Sequence, residues 1–305
     1  VNKGSKRAIY AAFGANLGIT VAKLIGAIIT GSAGLLAETL HSFADTGNQA
    51  LLLFGGARAQ RPATKEHQFG YGAERYFWSF VVALVLFSLG GLFALFEGVQ
   101  KLINPHETSY FALALTILMA AFVLETFSLR TAIKEARKLK SPTISWWRYI
   151  KNAKEPELPV VLLEDIGAEI GLSFALLGVV LAHLTGETRW DAVGSLAIGV
   201  LLIAIACILA IEMKSLLIGE SAAVEVEDVI TAALISSTEV RSIIHMKTMH
   251  LGPEEILLAV KIEFNNLLSV AQLAKAIDEA ELRARAATGA TLRIFIEPDI
   301  SRVAN

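Results

Sequence analysis

Six stretches of this 305-residue chain, roughly 8–30, 33–57, 76–100, 110–131, 158–183 and 190–212, are apolar enough to cross a hydrocarbon core. Crossing takes about 20 residues at 1.5 Å rise each. No water reaches the backbone there, so each such run is confined to a helix that satisfies its own N–H and C=O groups. The first two runs are separated only by Gly31 and Ser32, and the last two by residues 185–189. Connections this short favour antiparallel neighbours. The expectation is an all-α bundle of six transmembrane helices over residues 1–212, followed by a separate domain over 213–305.

The composition fits. Hydrophobic residues make up 54% and charged residues 18% of the chain, against roughly 25% charged in soluble domains. A net charge of −2 gives no support for a nucleic-acid partner. The single cysteine, Cys207, excludes an internal disulfide framework and a cysteine-built zinc cluster. The N-terminal Lys3, Lys6 and Arg7 lead straight into apolar residues without a small-residue cleavage site, which reads as a first span and not a signal peptide.

Charge asymmetry orients the bundle. Arg58, Arg61, Lys65 and Arg75 lie between spans two and three, and the loop before span five carries Arg130, Lys134, Arg137, Lys138, Lys140, Arg148, Lys151 and Lys154. The opposite side has only Lys101 and Arg189 near its loops. By the positive-inside rule both termini face the cytoplasm, in a multi-pass protein of a bacterial or archaeal inner membrane.

Past residue 213 the pattern changes. An amphipathic helix over 224–237, strands over 240–249 and 255–264, a charged helix over 269–287 and a strand over 291–297 are expected. This αββαβ order predicts a small cytoplasmic α+β domain of ferredoxin-like type. Helices would cover one face of its sheet, leaving the other to pair with a second copy.

Inside span two, Glu38, His41, Asp45 and Asn48 stand at i, i+3, i+7 and i+10, a polar stripe down one helical face. An acidic residue at mid-bilayer costs about 2.5–3.5 kcal/mol on insertion scales, so its presence points to a use. An imidazole and a carboxylate four residues apart share a face and make half of a divalent-metal site. Span five carries Glu164, Asp165 and Glu169; Asp165 and Glu169 share a face, while Glu164 is rotated by about 100°. Two facing helices with such groups can build a four-coordinate site from imidazole nitrogen and carboxylate oxygen. The metal-ligand candidates are therefore His41, Asp45, Asp165, Glu169 and Glu164. Glu97 and Glu125 lie near the ends of spans three and four, where interfacial solvation or helix packing accounts for them, and Trp146, Trp147 and Tyr149 read as a membrane-interface belt.

Several segments resemble the cation diffusion facilitator family. Gly31-Ser-Ala-Gly-Leu-Leu-Ala-Glu-Thr-Leu-His-Ser-Phe-Ala-Asp45 is similar to that family's second span, and His67-Gln-Phe-Gly-Tyr-Gly-Ala-Glu-Arg75 to the loop entering its third. Trp190-Asp-Ala-Val-Gly-Ser-Leu-Ala-Ile-Gly-Val200 and Leu217-Ile-Gly-Glu-Ser-Ala222 match its sixth span and the approach to its cytoplasmic domain. Leu163-Glu-Asp-Ile-Gly-Ala168 looks most like the zinc transporter 9 subgroup and its bacterial relatives.

The resemblance implies a homodimer that exchanges a divalent cation for protons across the bilayer, with His41 and Asp45 paired on span two and Asp165 on span five. Where many zinc carriers place a histidine one turn before that aspartate, this chain has Val161. Glu169, Glu164 or water is left to complete the shell. The resemblance also places His245, Glu297 and Asp299 at or near regulatory metal positions of the cytoplasmic domain, with Lys261 at another. His67 and Glu74 are candidates for an access site on the cytoplasmic loop.

The implied function is a proton-coupled exporter, Zn2+ first and Mn2+, Fe2+ or Co2+ as alternatives favoured by an oxygen-rich site. Ligands must be deprotonated to bind, so loading metal releases protons and protonation expels it. Substrates are then the metal ion and protons, and no prosthetic group is called for. A metalloprotease needs His-Glu-x-x-His, and histidines 41, 67, 106, 183, 245 and 250 never approach that spacing, which speaks against an enzyme. A non-transporting metal sensor or partner subunit is the remaining rival.

Overall fold

The computed structural model describes residues 3–105 and 110–300, with side chains at 3–15, 139 and 152 left undescribed. His106 therefore lies outside the described residues, as do the side chains of Lys3, Lys6 and Arg7. The chain divides into two compact units: residues 1–55 with 77–213, and residues 56–76 with 214–305.

The first unit is helical and of membrane type. Its elements are α1 (Lys3–Thr30), α2 (Ala33–Ala59), α3 (Glu74–Val85), a π-helical turn (Leu86–Leu92), α4 (Phe93–Ile103), α5 (Phe111–Leu139), the short α6 (Trp146–Asn152), α7 (Glu157–Thr185) and α8 (Arg189–Ile218). Four described helices are long and apolar enough to cross a membrane: Glu74–Ile103, Phe111–Lys138, Glu157–Thr185 and Arg189–Ile218. The first of these is the run of α3, the π turn and α4. In α1 the described apolar stretch is Asn16–Thr30. Helix α2, 27 residues long, carries the polar stripe and buries Glu38, His41 and Asn48 in the bundle.

The helix ends follow from local chemistry. Gly31 takes φ 66°, a left-handed value that reverses the chain between α1 and α2 at low steric cost. Ser32 Oγ accepts the Leu35 N–H at 3.2 Å and caps α2. Asp191 sits in front of the same helix end: its Oδ2 accepts the Ala33 N–H at 2.8 Å and its Oδ1 the Ser32 hydroxyl at 2.8 Å. A carboxylate there complements the positive end of the helix dipole.

The interior between helices is built from alanine, leucine, isoleucine and valine, including Leu35, Leu86, Leu118, Leu162, Leu172, Ile198 and Leu202. Small residues let helices approach closely. A Cβ on Gly91 of the π turn would fall 2.5 Å from Ile203 of α8, so only glycine permits that crossing.

The second unit holds α9 (Val224–Ile235), β1 (Val240–Gly252), β2 (Glu255–Phe264), α10 (Val270–Ala287) and β3 (Thr291–Asp299). The three strands stand in the order β1-β2-β3, with β1 antiparallel and β3 parallel to β2. A capping box between Ser269 and Gln272 starts α10. Alternate residues of β2, Ile256, Leu258, Val260, Ile262 and Phe264, pack with Ile230 and Leu234 of α9 and Ala276, Ala280 and Ala284 of α10. The opposite β2 positions are Leu257, Ala259, Lys261 and Glu263, of which Ala259 is exposed. That alternation is the period-two mark of a sheet covered on one face.

Candidate metal centre

The polar stripe of α2 turns inward, as an amphipathic helix in an apolar bundle must. His41 is fully buried, and its Nε2 lies 3.5 Å from Asp45 Oδ2. Neither His41 ring nitrogen nor Asp45 Oδ1 has a hydrogen-bond partner among the described residues. Leaving a buried polar atom unpaired costs about 1–3 kcal/mol, so several such atoms together call for a reason.

Helix α7 meets the stripe from the other side. Glu164 points to α2, its Oε1 accepting from Asn48 Nδ2 at 2.7 Å. Asp165 and Glu169 point to α5: Ser128 Oγ donates to Asp165 Oδ2 at 3.0 Å and Thr126 Oγ1 to Glu169 Oε1 at 2.7 Å. Glu169 Oε2 has no partner among the described residues. The 100° rotation of Glu164 from its neighbour thus places the three carboxylates against two different helices.

A cavity of about 20 Å³ opens where these helices meet, walled by Asn16, Ile19, Ser42, Asp45, Gln49, Glu125, Ser128 and Asp165. That is room for about one water-sized body. Asp45 is within electrostatic reach of Glu125, Glu164 and Asp165. Among the described residues no three His, Cys, Asp or Glu side chains are already arranged at metal-holding distances. Of the sequence-derived ligands, Asp45 and Asp165 wall this space, whereas His41, Glu164 and Glu169 are not among its lining residues.

Glu125 and Lys23 have no place in the sequence-derived site. Glu125, expected near a span end, stands mid-helix on α5 and faces the cavity. Its separation of 40 residues from Asp165 hides the pairing in one dimension, though a carboxylate in the middle of an apolar run was a usable signal. Lys23, on α1, is buried with its Nζ 2.7 Å from Ser42 Oγ and 3.4 Å from Glu38 Oε2.

The other sequence candidates fall elsewhere. Within residues 56–76, Glu74 Oε1 accepts from Arg58 Nε at 3.1 Å, and the His67 ring lies 4.6 Å from that of Tyr71. On the sheet, His245, Lys261 and Glu297 share one register row across β1, β2 and β3. Lys261 Nζ is 3.0 Å from both Glu297 and Asp299. The ammonium holds the two acids that a metal would need, and its hydrogen bonds to Glu297 and Asp299, aided by their negative charge, push the Lys261 pKa above its ordinary 10.5.

These features define a helical, multi-pass membrane protein with an acidic cluster inside its bundle and a small α+β domain beyond it. Residues 9–218 match the cation efflux transmembrane domain. The chain belongs to that cation efflux family. It is 32% identical over 244 residues to the mitochondrial proton-coupled zinc antiporter SLC30A9 of Xenopus laevis, covering 80% of this chain and 44% of that protein. Metal tolerance protein C4 of Arabidopsis thaliana is 30% identical over 237 residues, 77% of this chain and 52% of that protein. Magnetosome protein MamB of a Magnetospira species is 27% identical over 196 residues, 62% of this chain and 66% of that protein. The chain thus spans about half the length, or less, of the first two relatives.

Proposed function

We propose that this protein exports a divalent transition-metal cation, Zn2+ in the first instance, in exchange for protons, with no prosthetic group. The observation that carries the reading is that Asp45, Glu125 and Asp165, from three helices of a membrane-type bundle, wall one cavity. So much negative charge at one place in an apolar bundle is costly alone and tolerable with a cation. The names of the SLC30A9 relatives add zinc and proton coupling as the activity to test.

His41, Asp45 and Asp165 are the proposed ligands, with Glu169 or Glu164 completing the shell. Small inward shifts of α2, α5 and α7 would close the donors on the ion. Because these donors bind only when deprotonated, loading expels protons and protonation releases the cargo. Alternating access would expose this fixed site to each side in turn.

The proposed architecture is six spans within 1–212 and a dimerising, ferredoxin-like domain within 213–305. It has both termini on the cytoplasmic side of an energised membrane: a bacterial or archaeal plasma membrane or the mitochondrial counterpart. The uncovered sheet face supports pairing with a second copy. Lys261 between Glu297 and Asp299 argues for dimerisation over metal sensing in that domain.

A second cargo reading has its own support. The polar groups of the cavity wall are carboxylate, hydroxyl and amide, Val161 stands where the resemblance places a histidine in many zinc carriers, and hard oxygen donors favour Mn2+, Fe2+ or Co2+. The test is flux into proteoliposomes under an imposed pH gradient, run with each of these ions and Zn2+. Transport that survives Asp45→Ala and Asp165→Ala, or no transport of any ion, would defeat the proposal.

A further inference from the structure

We infer that Lys23 is a tethered cation of the cavity: its ammonium, held by both Ser42 and Glu38, balances the cavity carboxylates between cargo ions and shifts from Ser42 closer to Glu38 when a divalent ion enters. This rests on the cavity being the cargo site, as proposed above.

The molecule contains its own comparison. Lys101, the other fully buried lysine among the described residues, is locked. Its Nζ lies 2.7 Å from Asp191 Oδ2 and 2.6 Å from the Gly31 carbonyl, and both oxygens of Asp191 are hydrogen-bonded. Lys23 is held differently. Its short contact, 2.7 Å, is to the neutral Ser42 hydroxyl, while the carboxylate that would neutralise it stands at 3.4 Å. Glu38 Oε1 meanwhile has no partner among the described residues. The ion pair is formed but long, and a buried pair offsets its desolvation only with excellent geometry.

Position explains the arrangement. Ser42 Oγ is Lys23's nearer partner, and Ser42 is also part of the cavity wall beside Asp45. Lys23 is within electrostatic reach of Asp45 and Glu125. Behind it, Gly171 of α7 leaves space for the Glu38 carboxylate: a Cβ there would lie 2.5 Å from Oε1. The ammonium, on a flexible four-carbon stem, thus touches two groups at once: the Ser42 hydroxyl, which is part of the cavity wall, and the Glu38 carboxylate, which is not. An incoming divalent cation repels it from the first toward the second, and departure of the cargo lets it return. The lysine therefore weakens cargo binding enough to permit release.

The experiment is isothermal titration of the full chain in detergent micelles with Zn2+, comparing wild type, Lys23→Gln, Glu38→Gln and Ser42→Ala. Size-exclusion profiles and thermal unfolding check that each is folded. Removing the ammonium should tighten Zn2+ binding on the order of tenfold or more, since a unit charge within several Å of a divalent ion is weakly screened in the bundle. Glu38→Gln should weaken it by a comparable factor, because the carboxylate toward which the ammonium shifts is lost. A pair serving structure alone would make both variants bind worse or leave both unchanged, and either result overturns the inference. If the charge variants do not fold, Ser42→Ala decides: it alters no charge and should tighten binding a few-fold by releasing the ammonium toward Glu38. Unchanged or weaker binding by Ser42→Ala is then the overturning result. If wild type binds no Zn2+, or Asp45→Ala leaves binding unchanged, the cavity is not the cargo site and the inference falls with that reading. If wild type binds at Asp45 but Lys23→Gln binds no tighter, only the inference falls.

Discussion

Lys101 and Asp191 form an ion pair with both side chains sealed from solvent, Nζ to Oδ2 2.7 Å. Asp191 also accepts from Ser32 and Ala33, so one carboxylate joins the end of α4, the start of α8 and the cap of α2. Truncating one partner of a buried pair strands the other and costs about 3–5 kcal/mol. Asp191→Ala should therefore markedly lower the thermal unfolding temperature in detergent. The double replacement Lys101→Met with Asp191→Asn should recover more than half of that loss, because no charge is left unpaired. Additive losses in the double variant would contradict this account.

The cavity acids should matter in pairs drawn from different helices. Asp45→Ala and Asp165→Ala are each expected to weaken Zn2+ binding by more than about a hundredfold, beyond the 10- to 100-fold typical of removing a group that only supports a ligand. Both should also abolish metal-driven proton flux while leaving unfolding temperature close to wild type. Titration in buffers of different ionisation enthalpy should reveal protons released on loading, and binding should tighten as pH rises.

Glu125 supplies a contrast with its fellow candidate for an interfacial role. Glu125→Gln should weaken metal binding about tenfold or more, since it removes a charge from the cavity wall. Glu97→Gln, which touches no wall of that cavity, should leave affinity within about twofold, the scatter expected of a surface change. Equal effects would remove Glu125 from the site.

On the second unit, Lys261 is held by Glu297 and Asp299, and its hydrogen bonds to them raise its pKa above the ordinary lysine value. A group raised in the folded state stabilises fully below its unfolded pKa and loses that contribution as pH rises through the folded one. The unfolding difference between wild type and Lys261→Met should accordingly stay constant from about pH 6 to 9 and shrink only above about pH 10.5. A difference that fades near neutral pH would mean that the bridge is not formed by a charged lysine.

Much of the architecture was legible one residue at a time. The αββαβ order beyond residue 213 matches the observed elements to within a few residues, because period-two and period-3.6 patterns are local properties of a chain. The turn at Gly31-Ser32 and the polar face of α2 were readable for the same reason. The acids of α7 were visible because charge within an apolar run stands out against its surroundings.

The missing parts depend on which helix stands beside which. Sequence marked Lys101 as a loop-side charge, yet the fold buries it against Asp191, 90 positions away. It gave Glu125 an interfacial or packing role, yet α5 carries it to the cavity between α2 and α7. It assigned Lys23 nothing, although that ammonium stands against the cavity wall. The apolar patterning determined by itself that this chain forms membrane-type helices and a small one-sided sheet, since burial of apolar surface is dictated residue by residue. Tertiary packing alone decided which charges meet, because a Coulomb energy depends on the distance between two groups in space and not on their separation along the chain.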